Sequence, residues 1–342
     1  MEINCIHLYV VDANKTRDLL IEQMGLRSFG DRTNEHTIEY LVGNAHLSFS
    51  IASPLNSASP VADYLKLHPS GVKNISFRVD NLDLIRWKVD RLGIEIIAAS
   101  PDRDELRWLK IKGWGAIEHT IIQASSVSID SIDRTEQIIG IDHLVLNVPV
   151  GELDSATYWY EDLFDFQVQQ TFDIKTDKSG LASKALVSPC GKIRFNINVP
   201  SSDTSQIQEF LDANRGAGIQ HIALQTNDIL ATVDRMQQHK LAFLSIPPTY
   251  YTNLQSRARS TQNQPLSDDE WQQIERLQIL MDWSNSTPEA LLLQIFTQPI
   301  FESPTLFFEV IERRNRAKGF GQGNFQALFE AIEQHNTTIL SH

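Results

Sequence analysis

The feature that most constrains the fold of this chain is a short segment that returns four times. "CIHLYVVD" (5–12), "NISFRVDN" (74–81), "DHLVLNVP" (142–149) and "HIALQTND" (221–228) are each a strand-length alternating, β-rich run that leads into an acidic or polar turn. A helix-like stretch follows each turn: "ANKTRDLLIEQMGL", "NLDLIRWKVDRLGI", "LDSATYWYEDLFDF" and "DILATVDRMQQHKLAF". In the second, Leu82, Ile85 and Val89 share a face and Gly93 supplies a stop. In the fourth, Asp228 serves as N-cap and Ile229, Val233 and Met236 share a face. Several short strand-like runs follow each helix. The unit is therefore β-α-β-β-β, used four times, which is too few and too divergent for a solenoid. Two pairs of units, each pair curling into a half-open barrel, account for 342 residues as an α+β protein of two domains.

The boundary falls in the polar stretch "SSVSIDSIDRTEQ" (125–137), giving domains 1–130 and 131–342. "NLQSRARSTQNQPLS" (253–267) reads as a long loop. It ends in the capping box Ser267-x-x-Glu270, which opens a helix through "EWQQIERL". "LQILMDW" and "EALLLQIFTQP" predict a hairpin, and "TLFFEVIER" the next strand. "GFGQGNFQALFEAIEQHN" predicts a C-terminal helix with Leu328, Phe329 and Ile332 on its apolar face.

Composition narrows the function. At 42% hydrophobic and 21% charged residues the chain can close a core. A net charge of −13 opposes binding to nucleic-acid backbones and anionic membranes. Two cysteines, Cys5 and Cys190, allow no disulfide framework and no cysteine zinc motif, which suits a reducing cytoplasm. "MEINCIHLYVVDAN" has no basic segment followed by a long apolar one, so no secretory signal is expected. No apolar run approaches the ~20 residues that span a bilayer.

His143 and His221 stand at the start of equivalent strands. In "PTLFFEVIER", alternation puts Phe307, Glu309 and Ile311 on one face, and a carboxylate among such neighbours is costly to bury unpaired. Taken singly, each histidine also reads as a core residue and the glutamate as a strand-edge residue. Together, two histidines and a carboxylate from three strands meet the recipe for a facial metal triad with open positions, which suits non-haem Fe(II). The glycines at 319, 321 and 323 match neither phosphate-loop spacing. They read as a mobile turn that closes like a lid.

Six ordered blocks carry a resemblance: "GIDHLVLNVP", "GAGIQHIALQTNDI", "PPTYY", "LLQIFTQP", "PTLFFEVIERR" and "GFGQGNFQALFEAIE". They resemble the 4-hydroxyphenylpyruvate dioxygenase family of the vicinal oxygen chelate fold, densely from about 139 to 335 and over 1–130 mainly through the fold repeat. The resemblance implies that His143, His221 and Glu309 bind Fe(II). It implies that Ser183, Asn198, Gln206, Gln220 and Gln294 form the polar side of a substrate pocket, with Asn324 in the "GFGQGNF" block. Phe296 and Phe325 would flank the substrate ring, and Phe307 and Phe320 would close the wall. Taken alone, Gln206 also fits a solvent-facing helix position.

Aligning the repeats puts His7 at the place of His143, Asn74 at that of His221 and Glu118 at that of Glu309. The middle ligand is missing, so the first barrel reads as structural. The chain departs from the family in having Gln322 where lysine is common and Asn196 where proline is common.

The implied reaction is oxidative decarboxylation of 4-hydroxyphenylpyruvate by O2, with ring hydroxylation and side-chain migration, to homogentisate and CO2, a step of tyrosine breakdown. Rivals are 4-hydroxymandelate synthase, with the same substrate and benzylic hydroxylation, and a non-catalytic small-molecule-binding protein of the same fold. Phe296 favours the dioxygenase, because a bulky ring there presses the substrate ring toward the metal. A homo-oligomer, dimer or tetramer, is the family expectation.

Overall fold

The computed structural model describes residues 1–101, 106–123, 136–175, 180–202, 205–260, 266–284 and 286–325. Two eight-stranded sheets follow one another along the chain. The first contains β1 (Glu2–Tyr9), β2 (Arg27–Thr33), β3 (Thr37–Gly43), β4 (Ser48–Pro54), β5 (Gly71–Val79), β6 (Ile96–Ala99), β7 (Trp108–Lys112) and β8 (Glu118–Gln123). The second contains β9 (Ile138–Asn147), β10 (Gln167–Lys175), β11 (Gly180–Val187), β12 (Arg194–Pro200), β13 (Gly218–Thr226), β14 (Leu280–Ser284), β15 (Thr287–Phe296) and β16 (Phe307–Arg313). Their strand orders are the same: β2-β3-β4-β1-β5-β8-β7-β6 and β10-β11-β12-β9-β13-β16-β15-β14. Each sheet is two β-α-β-β-β modules joined antiparallel through their first strands, as the fourfold repeat predicts.

Local signals set the helix ends. Asp228 accepts from the Ala231 amide to start helix Ile229–Gln238, and Gly93, at φ 65°, ends helix Leu82–Leu92. Ser267 and Glu270 form the reciprocal capping box of helix Asp268–Leu277. The long loop expected over 253–267 is corrected: helix Pro248–Ser260 takes in its first half, and 261–265 lie outside the described residues. Ala258, Leu254 and Tyr251 are buried, a spacing of three to four that anchors this helix despite its polar sequence. The expected domain boundary at 130/131 and the C-terminal helix beyond Phe325 also lie outside the described residues.

One continuous apolar core serves both halves. The Phe49 ring of the first half meets Phe308 of the second edge-on, with centroids 5.8 Å apart, and Phe77 meets Phe164 at 5.2 Å. His119 on β8 is fully buried in this contact. Its Nδ1 lies 3.3 Å from the Ile75 carbonyl, which only accepts, so Nδ1 carries the proton and Nε2 accepts from the Tyr160 hydroxyl at 3.1 Å.

Burial pushes the His119 pKa down to about 4. The unfolded chain binds a proton there below about pH 6.5 and the folded chain does not. The stabilisation is present above that value and lost as pH falls toward 4. From pH 7 to 5 this one residue is expected to cost about 2 kcal/mol of stability. Urea unfolding at the two pH values checks it against His119→Asn, which is less stable at pH 7 but falls by about 2 kcal/mol less; an equal fall in both proteins would sink the assignment.

Strand pairing corrects the internal alignment of the two halves. In the second sheet Ala223 on β13 stands between His143 on β9 and Glu309 on β16. In the first sheet the matching residue, Ser76, stands between Cys5 and Thr120. The position of Asn74 does match that of His221, but Cys5, not His7, takes the place of His143, and Thr120, not Glu118, that of Glu309. Glu118 is instead held by Lys73 at 2.9 Å and Lys110 at 3.4 Å. Burial pushes the Cys5 thiol up to about 12, which keeps it protonated. Asn74 donates to Thr120 at 2.7 Å. The first sheet therefore repeats none of the three candidate ligands.

Candidate metal centre

β9 and β16 flank β13, so three neighbouring strands deliver the candidate ligands to one concave face. His143 and Glu309 both sit opposite Ala223, whose methyl leaves room between them. His221 lies two residues along β13, on the same face, with Phe307 as its register partner. Among the described residues His143, His221 and Glu309 form the one group of three such side chains whose donor atoms all lie within 4.8 Å of one another. His143 Nε2 is 3.3 Å and His221 Nε2 3.6 Å from Glu309 Oε2.

The electrostatics are those of a shielded site. Burial alone lowers the His143 pKa, but Glu309 and Asp142 outweigh it and raise the value to about 9. His221 is held below its ordinary value by burial, against the pull of Glu309. Burial works to raise Glu309, yet the two imidazoles hold it below the usual carboxylate range. The Nδ1 of His221 is buried with no hydrogen-bond partner. A carboxylate and two imidazoles, 2–9% exposed and converging on one spot, fit a divalent cation.

Behind the histidine stands a support that the sequence reading missed. His143 Nδ1 donates to Asp142 Oδ1 at 2.9 Å, which orients the ring and leaves Nε2 toward Glu309. Arg313 grips the same carboxylate with Nε and Nη2, both at 2.7 Å. Burial works to raise the Asp142 pKa, but Arg313 and then His143 hold it far below the usual range. The signal was present: Asp142 directly precedes His143, and Arg313 shares the strand face of Glu309 and Ile311.

The implied pocket residues are largely brought together. Phe307 stacks on His221 with centroids 4.9 Å apart, Phe296 meets the same ring edge-on at 6.1 Å, and Phe320 meets His143 edge-on at 5.3 Å. Phe325 packs against Phe172, which also contacts Phe320. Gln294 donates to Glu309 Oε1 at 3.5 Å and accepts from Asn324 Nδ2 at 3.2 Å. Asn324 in turn accepts from the Tyr250 hydroxyl at 2.8 Å, a partner in "PPTYY" that was not singled out. Gly321, at φ 72°, permits the close approach of this turn, because a Cβ there would lie 1.7 Å from Gln294 Oε1.

Ser183 and Asn198 are register partners across β11 and β12, and Asn198 donates to Asn147, a buried residue also missed, at 3.3 Å. The β13 register shifts at Gln220, leaving two residues, Gln220 and His221, between the core positions Ile219 and Ile222. This bulge takes both off the core face, where simple alternation would separate them. Gln206 is buried at the first turn of helix Gln206–Asn214, not solvent-facing, and no hydrogen bond joins it to the others. Ser183 Oγ, Asn196 Oδ1, Asn147 Nδ2 and Gln206 Nε2 are buried without partners. Such atoms are few in native proteins, and Ser183, Asn196 and Asn147 lie on the adjoining strands β11, β12 and β9.

Residues 140–262 match the model of the Glyoxalase/Bleomycin resistance protein/Dioxygenase superfamily. The chain is 38% identical to an uncharacterized protein of Synechocystis sp., over 97% of each chain. It is 32% identical to 4-hydroxyphenylpyruvate dioxygenase of Yarrowia lipolytica, over 96% of this chain and 90% of the relative. Among solved structures, a variant of 4-hydroxymandelate synthase from Streptomyces coelicolor overlays with a TM-score of 0.86 at 25% identity, over 98% of both chains. With two curled sheets of matching order and this similarity along nearly its whole length, the chain belongs to the 4-hydroxyphenylpyruvate dioxygenase family of the vicinal oxygen chelate superfamily.

Proposed function

We propose that this chain is a 4-hydroxyphenylpyruvate dioxygenase that forms homogentisate and CO2, with Fe(II) held by His143, His221 and Glu309. The observation that carries the reading is the convergence of these three side chains on one face, with Phe296, Phe307 and Phe320 packed on the two imidazoles and the Gln294 amide on the carboxylate. When bound, Fe(II) supplies chelation of the 2-oxo acid and activation of dioxygen. The protein's part is placement. Asp142 fixes the imidazole of His143. Phe296 and Phe307, packed on His221, offer apolar surface to an aromatic ring. Ser183, Asn198, Gln206, Gln220 and Gln294 orient the phenol without competing for the metal, because neutral amides and hydroxyls are weak ligands beside imidazole and carboxylate. Phe320, against His143, excludes water. Residues 1–130 act as a structural domain and 131–342 as the catalytic one.

A second reading, 4-hydroxymandelate synthase, is favoured by the close overlay with that enzyme's fold. Aerobic turnover of 4-hydroxyphenylpyruvate with Fe(II) and ascorbate tests both. Homogentisate is the expected product. 4-Hydroxymandelate would establish the second reading. Tight binding of the oxo acid without oxygen uptake would instead mark a binding protein.

A further inference from the structure

Two hydrogen-bonded paths leave the candidate metal ligands and end in the same short segment, 317–325. From Glu309 the path runs through Gln294 to Asn324. From His143 it runs through Asp142 to Arg313. The second path turns on one side chain. Arg313 is 8% exposed; while Nε and Nη2 hold Asp142, Nη1 donates to the carbonyls of Gly319 at 2.8 Å and Ala317 at 3.1 Å. Phe320, the next residue, lies under the guanidinium at 5.9 Å and edge-on to His143 at 5.3 Å. Because a guanidinium is a rigid plane, its donors cannot be re-aimed independently. Displacing the two carbonyls turns the plane and shifts Asp142, and with it the hydrogen bond that orients His143. Arg194, at 3.5 Å from Asp142 and a third exposed, is the weaker partner of that carboxylate and makes no bond to the segment.

We propose that Arg313 is a positioning residue that couples the packing of residues 317–325 to the orientation of His143, so that metal binding and the packing of this segment reinforce each other. The proposal rests on the metal reading of the three-residue site. Coupling of two equilibria is reciprocal: a segment whose packing favours the metal is itself held more firmly by the metal.

Hydrogen exchange of the peptide 314–325, measured in the full chain with and without saturating Co(II), tests this, with visible Co(II) absorption reporting occupancy. In the wild type Co(II) is expected to slow exchange at least about fivefold. In Arg313→Lys the ammonium pairs with Asp142 but cannot also hold both carbonyls. Co(II) bands should persist, affinity should fall about 10- to 100-fold, and exchange of the peptide should be the same with and without metal. Asp142→Asn reads the coupling from the other end and serves if the lysine variant does not fold; its metal-dependent slowing should vanish as well. Wild-type Co(II) bands without slowing would overturn the coupling alone, as would full slowing in the folded variants. Absence of bands in the wild type would remove the metal reading and the coupling together.

Discussion

Glu309→Gln is expected to fold, to lose more than about 100-fold in Fe(II) affinity and to have no measurable turnover. Outer partners of metal ligands typically contribute 10- to 100-fold, and Glu309 is the only anion among the three donors. Without it two neutral imidazoles would face a dication in a site closed to water. The amide keeps the shape and the hydrogen bond with Gln294, so the fold is expected to survive. Metal content after desalting, together with thermal unfolding, separates the effects. At a metal concentration 100 times the wild-type Kd the wild type gains about 2.7 kcal/mol, and the variant at most about 0.4 kcal/mol. The metal-free wild type adds a pH signature. With the His143 pKa raised to about 9, binding displaces one proton, so apparent affinity should climb about tenfold per pH unit up to that value. A Glu309→Gln protein that retains stoichiometric iron at normal rates would disprove the ligand set.

Phe308→Ala is expected to cost about 3–5 kcal/mol, because a fully buried ring is replaced by a cavity. Phe308 lies on the face of β16 opposite Glu309 and joins the two halves through Phe49. The loss is expected in the midpoint of urea unfolding. Residual activity of the folded fraction should stay within a few-fold, because Glu309 and Phe307 keep their own backbone pairing with β13. A loss below 1 kcal/mol would show that the halves do not share their stability.

Much of this was legible because strand periodicity is robust. Four alternating runs fixed the module, and alternation put Glu309 on the face of Phe307 and Ile311, where β16 places it. What alternation cannot report is a slip of two residues, which returns every side chain to the same face. That is why His7 was matched to His143 when pairing gives Cys5. Bulges were equally silent: Gln220 and His221 share the inner side only because the β13 register shifts there. Asp142 and Arg313 were missed because their places beside His143 and on the face of Glu309 do not show that residues 171 apart meet. Residues 253–260 of helix Pro248–Ser260 read as a loop because their polar composition hides the buried Leu254 and Ala258.

The single core that runs through both halves has an evolutionary side. The first half has no ligand set to preserve, so its inner concave face is free to drift, as Cys5, Asn74 and Thr120 at the three ligand positions illustrate. Its other face is not free, because Phe49, Phe77 and His119 are packed against the second half. A repeated half without the three ligands would thus be retained for the face that it packs. Substitutions among relatives of this chain should spare that packed face and accumulate at the inner positions.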